Sequence, residues 1–187
     1  MVTSSSYKPN HKMLDRKKRR EIIEYTYQKQ INNPDLWYKN SLSFHKASIV
    51  LYEHQEYLND ALKIIQYNAA LSLELIFKAI LAAKKEPIPS IHSLRELCAR
   101  AEVELDEHQK FTLDILTEII LWLSRYPAPK SEAQWDNYHD NIYEKHLVRL
   151  QSGNTGTTLA HKKRFPSMEN YTRIWENCLI KYKSIKM

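Results

Sequence analysis

From Leu62 to Ile80 the apolar residues of this chain recur at intervals of three and four: Leu62, Ile65, Ala69, Leu73, Ile76 and Ile80. That spacing draws one stripe along a helix. Leu71, Leu75 and Ala79 widen the stripe to about half the circumference, so the helix is expected to pack on several sides. Lys63, Gln66, Glu74 and Lys78 fall on the remaining arc. Glu74 precedes Lys78 by four residues, the better order for an exposed pair worth ~0.2–0.5 kcal/mol. Asn68 and Ser72 sit inside the apolar arc. Buried polar groups need partners, so these two mark a helix contact, a dimer seam or a ligand, ranked in that order.

The same reading extends along the chain. Residues 1–12 are polar and aperiodic, the pattern of a disordered arm. A basic run follows, with Lys12, Arg16, Lys17, Lys18, Arg19 and Arg20 against a single Asp15, and continues into a helix with Ile22, Ile23, Tyr25 and Tyr27. Asn33 reads as an N-cap with Pro34 at the first helical position. That helix is expected to reach about His54, with Trp37, Phe44, Ala47, Val50 and Leu51 inward. Asn59 or Asp60 would cap the central helix, which runs to about Lys85 before Pro87 and Pro89 forbid continuation.

Ser93 and Glu96 form a capping-box pattern, and His92 beside them reads as structural. Asp106 and Gln109 open a helix whose inner face is Phe111, Ile115, Ile119, Trp122 and Leu123, stopping at Arg125-Tyr126-Pro127. Residues 128–166 are atypical: a helix from Trp135 to about Leu150, then a flexible loop. Ser167 caps a last helix with Tyr171, Ile174, Trp175, Cys178, Tyr182 and Ile185 on one face. The expected fold is an all-α, up-and-down helical bundle over residues 34–187, with a basic helical extension over 1–33.

Composition narrows this further. Only two of the 187 residues are glycine, which argues against Rossmann, P-loop and β-sandwich folds with their glycine-dependent turns. The net charge of +6 favours anionic partners. Cys98 and Cys178 are too few and too far apart for a disulfide framework or a zinc site. No apolar run of membrane-spanning length and no signal peptide stands out, so a cytoplasmic location is expected. His139, Asp140, Glu144 and His146 match no standard ligand spacing. No metal and no cofactor is therefore implied.

One stretch carries a resemblance. Ala70 to Leu81, then Pro87 and Pro89, then His92-Ser93-Leu94 follow the order Ala-x-x-Leu-Glu-Leu-x-x-Lys-Ala-x-Leu, prolines, His-x-Leu. This resembles the HEPN domain family, and Arg125-Tyr126-Pro127 is similar to HEPN sequences as well. The resemblance implies a helical bundle, a ligand that is RNA or a nucleotide, and association as a homodimer or with a second subunit. Asn68, Ser72, Glu74 and Lys78 are the candidates for such an interface or for buried polar contacts.

The ribonuclease branch of the family has an Arg and then a His, with four to six residues between them. No arginine here has a histidine at that spacing, and Arg100 and His108 are separated by seven residues. Arg173 and Cys178 keep the frame with a thiol in place of the imidazole, and are the weak catalytic candidates. Binding candidates are Arg125 and Tyr126 at the helix end, Lys162, Lys163 and Arg164, and the N-terminal Lys17, Lys18, Arg19 and Arg20. Gly153-Asn154-Thr155-Gly156 lacks the Lys-Ser/Thr ending of a P-loop. The expected function is non-catalytic RNA or nucleotide binding within a toxin–antitoxin, antiviral-defence or nucleotidyltransferase-associated system. The alternatives are a ribonuclease with a non-standard active site and a structural helical subunit.

Overall fold

The computed structural model of this chain describes residues 15–57, 60–152 and 155–187. Seven α-helices and one β-hairpin make up the fold: α1 (Arg16–Ile31), α2 (Pro34–Glu53), α3 (Ala61–Ala83), α4 (Leu94–Arg100), α5 (Glu107–Glu118), α6 (Glu132–Asn137), β1 (Leu147–Ser152), β2 (Thr155–Ala160) and α7 (Met168–Lys186). The disordered-arm reading, the start of the basic run and Asn59 as a cap fall outside the described residues. Asp60 does precede α3, but in the left-handed region and without a side-chain capping bond.

α3 is the axis of the molecule. Leu73, Ile76, Phe77 and Ile80 are fully buried, and α2, α4, α5 and α7 all pack against this one helix. α3 is long and apolar enough to cross a membrane by length and composition alone, yet its apolar surface is taken up inside the fold. The widened stripe thus behaves as expected, with one exception at its start, where Leu62 is 51% exposed. The polar arc splits. Lys63 stays exposed, whereas Gln66, Glu74 and Lys78 are buried, because beyond its first turn the helix is enclosed by α2, α4, α5 and α7.

The inward face of α2 also differs from the apolar pattern. Ser41, His45 and Ser48 are buried, while Val50 is 55% exposed. A polar seam between α2, α3 and α7 explains the shift. The Ser41 hydroxyl donates to the Ser72 carbonyl at 2.7 Å. The Ser72 hydroxyl donates to Ala69 O at 2.9 Å and meets the Tyr171 hydroxyl at 2.6 Å, so Tyr171 donates to it. The Tyr171 oxygen then accepts from His45 Nδ1 at 2.7 Å. The His45 ring stacks on Trp175 at 3.7 Å, and burial pushes the His45 pKa down. Ser72 is therefore a helix contact. Asn68, half-buried, donates to Ile64 O of its own helix at 2.8 Å.

The remaining helices keep their sequence-derived caps. Ser93, Asp106 and Ser167 each accept from the backbone three residues on, and Asn33 from Asp35 N–H. α5 runs on through a π turn, Ile119–Leu123. Residues 147–160 correct the expectation of a helix to Leu150 and then a loop. After a short 3-10 turn at Glu144–His146, β1 and β2 pair antiparallel from Leu147↔Ala160 to Ser152↔Thr155. The Val, Leu and Thr content suits a strand, and Gly153-Asn154, which lies outside the described residues, is a hairpin dipeptide in sequence. The root of the hairpin is pinned through His146, whose ring nitrogens face Ile142 O at 2.6 Å and Phe111 O at 2.8 Å.

Candidate functional site

A groove of about 840 Å³ opens where the C-terminal end of α5 meets the entrance of α4. Pro87 and Pro89 end the run out of α3 and deliver His92 just before the Ser93 cap. Pro127 stops α5, so Arg125 and Tyr126 project at its last turn. His92, Trp122, Arg125, Tyr126, Lys130 and Gln134 line the space.

Behind His92 lies the ion pair of α3. Lys78 Nζ donates to Glu74 Oε1 at 2.6 Å, with the two side chains 9% and 7% exposed. The other carboxylate oxygen of Glu74 faces His92 Nδ1 at 3.1 Å, and the His92 side chain is 54% exposed. The acid thus fixes the tautomer and the ring direction, with the proton on Nδ1. His92 Nε2 has no partner among the described residues. The pair expected on a surface arc is instead the inner support of a half-exposed histidine.

Arg125 spends one N–H on Leu121 O at 2.8 Å and lies over the Tyr126 ring at 5.3 Å. The rest of its guanidinium fork faces solvent, the geometry suited to a phosphate. Trp122 is anchored below by Glu118, whose Oε2 accepts from the indole at 2.6 Å. Burial raises the Glu118 pKa. Trp135 and Tyr138 contact the same indole at 5.5 Å and 5.4 Å. The arrangement offers cations, an oriented imidazole and aromatic surface in one concave place.

A second cationic centre forms at the root of the hairpin. Three cations surround the Phe111 ring: Arg164 at 4.5 Å, Arg95 at 5.5 Å and Lys145 at 5.9 Å. Arg95 is held by both oxygens of Asp114, at 2.8 and 2.7 Å. Arg164 donates to Lys145 O at 2.7 Å and to His108 Nδ1 at 3.2 Å. Arg164 is therefore partly committed to holding the hairpin. Its neighbours Lys162 and Lys163 are exposed, and their ammonium groups have no partner among the described residues.

The other candidates separate. Lys17, Lys18, Arg19 and Arg20 lie on α1, which buries no residue and meets the body where Trp37 Nε1 donates to Ile31 O at 2.7 Å. Arg173 pairs with Glu169 at 2.7 Å on the solvent side of α7. Cys178 is fully buried, and burial pushes its thiol pKa well up. Five residues of helix turn the two side chains away from each other, and a protonated core thiol is no nucleophile. The structure does not bring Arg173 and Cys178 together. Among the described residues no group of three His, Cys, Asp or Glu side chains could hold a metal ion.

Sequence reasoning named Arg125 and Tyr126, which line this groove, and Lys162 and Lys163, which lie exposed beside the hairpin root, but not the groove-lining position of His92. It also missed Arg95, Lys130 and Lys145, single cations in segments without a charge run. The signals at His92 were its place beside a helix cap and in the His-x-Leu pattern of the resemblance, both of which also suit a structural role.

The described fold is an all-α bundle organised on a central helix, with a cationic and aromatic groove at one end. The family model of the HEPN domain matches residues 35–145, more than half of the 187 residues, and the chain belongs to that family. Membership carries an RNA- or nucleotide-related role at the family level. No curated protein and no solved structure matches the chain.

Proposed function

We propose that this HEPN domain binds a phosphate-bearing ligand, RNA before a free nucleotide, in the Arg125–His92 groove and does not cleave it efficiently. The observation that carries this is the convergence of Arg125, Lys130 and His92 with the Tyr126 and Trp122 rings in one concave space. Phosphates supply most of the affinity in such sites, and aromatic faces add stacking. The lost Arg–His spacing and the buried Cys178 support the absence of family-type cleavage. A holding role of this kind suits one member of a two-protein toxin–antitoxin, antiviral-defence or nucleotidyltransferase-associated system, as a homodimer or beside a second subunit.

The test pairs RNA binding at two salt concentrations with a cleavage time course on the same RNA. Affinity is expected to fall with salt at a log–log slope of about −0.7 per neutralised phosphate. Arg125→Ala should weaken binding and reduce that slope by about one contact. Salt-independent or absent binding would turn the reading toward a structural subunit. The Glu74–His92 hydrogen bond favours a second reading, since an acid-oriented imidazole is the arrangement of a proton-transfer group. Cleavage that survives Arg173→Ala but disappears in both His92→Gln and Arg125→Ala would establish it.

A further inference from the structure

The groove and the hairpin-root cations lie on one line. Phe111, Asp114, Thr117, Leu121 and Arg125 recur at three and four along the outward face of α5 and its π turn, while Leu113, Leu116 and Ile120 point into the core. Arg125 follows Phe111 by 14 residues, which at 1.5 Å per residue sets the two centres roughly 20 Å apart. The start of α4 lies across the middle of that face. Leu94 N–H donates to Thr117 Oγ1 at 3.0 Å, and Arg95 reaches both Asp114 and the Phe111 ring. His92, three residues before Arg95, lines the groove at the other end. Cations therefore stand at the two ends of the line, Arg125 and Lys130 at one and Arg95, Lys145 and Arg164 at the other, with the His92 imidazole on the groove side.

The acids along it are already satisfied. Asp114 is paired with Arg95 at 2.7 Å, Glu118 is buried under the Trp122 indole, and Glu107 pairs with Lys110 at 2.8 Å. At the far end Lys162 and Lys163 add exposed charge next to Arg164. Arg95 is neutralised by Asp114, whereas Lys145 and Arg164 have no carboxylate partner among the described residues; such cations repel one another, and a polyanion laid along them removes that cost. Phe111 serves as the floor that holds Arg95, Lys145 and Arg164, so its ring is covered. The exposed ring is Tyr126 at the opposite end, with Arg125 over it at 5.3 Å; an unpaired base can stack there, whereas the bases inside a duplex cannot reach it.

From this geometry, and resting on the groove reading above, we infer that the ligand is a single-stranded RNA segment of about four to six nucleotides. It runs along α5 from Tyr126 and Arg125, past His92 and Arg95, to Lys145, Arg164, Lys162 and Lys163. The length follows from the span: roughly 20 Å takes about six phosphates at the 3.4 Å spacing of a stacked strand, and fewer when the strand is extended.

Fluorescence anisotropy on the full chain with oligouridylates of one to ten nucleotides, and with a blunt RNA duplex, tests the inference. Affinity should rise on the order of tenfold between the dinucleotide and the hexanucleotide and then level off. The duplex should bind more weakly than the hexanucleotide. Lys162→Gln/Lys163→Gln, a change at exposed positions, should weaken the hexanucleotide and leave the dinucleotide unaffected. Uridine monophosphate binding as tightly as the hexamer would overturn the track and leave the groove standing. So would an unchanged hexamer affinity in the double variant, a duplex that binds equally well, or affinity that climbs without levelling. No binding by any of these probes would remove the groove reading, and the track with it.

Discussion

Lys78→Ala is expected to destabilise the fold by about 3–5 kcal/mol, the cost of leaving one member of a buried ion pair without its partner. The Glu74 carboxylate sits among core residues with Lys78 Nζ at 2.6 Å and His92 Nδ1 at 3.1 Å. Removing the ammonium leaves a desolvated charge with a single neighbour, and His92 loses the support that fixes its ring. Glu74→Gln/Lys78→Met, which removes both charges and keeps the volume, should recover most of that loss. Urea melts of the three proteins read this directly. A Lys78→Ala loss within the ~0.2–0.5 kcal/mol of an exposed helical pair would contradict the burial of the site.

Leu73→Ala carries the second large effect, about 2–5 kcal/mol, from lost transfer energy and the cavity left at the middle of α3. Leu73 is fully buried where α3 meets its neighbours. The informative comparison is Val50→Ala. An apolar pattern places Val50 inward, but the side chain is in solvent, so its loss should stay within about 0.5 kcal/mol. Equal losses at the two positions in the same melts would contradict the packing described here.

These two residues show what the sequence could and could not reveal. α3, α5 and α7 were legible because their cores are apolar, so period 3.6 alone names Leu73, Ile115, Ile119, Ile174 and Cys178. α2 was not, because its buried face is Ser41, His45 and Ser48, polar groups whose partners Ser72 and Tyr171 come from other helices. Glu74 and Lys78 were misplaced for the opposite reason. Their spacing is that of a surface pair, and only packing on every side of α3 makes it an interior one. The hairpin escaped because its strands are six residues each and follow directly on a helix with polar, uninformative flanks.

The site was half legible. Arg125 and Tyr126 stand at a proline-stopped helix end that sequence alone exposes. His92 needed the fold, since its bond to Glu74 joins residues 18 apart that share no helical face. Arg95 and Lys145 needed it too, because they converge with Arg164 only on the Phe111 ring.

Photo-crosslinking measures the central claim most directly. A hexauridylate carrying one 4-thiouracil, irradiated with the full chain and mapped by peptide mass spectrometry, should attach within residues 121–135, at the aromatic side of the groove around Trp122, Tyr126 and Trp135. Cross-links confined to α1, or to the outer face of α7 around Arg173, would place the ligand elsewhere and contradict the groove as the binding site.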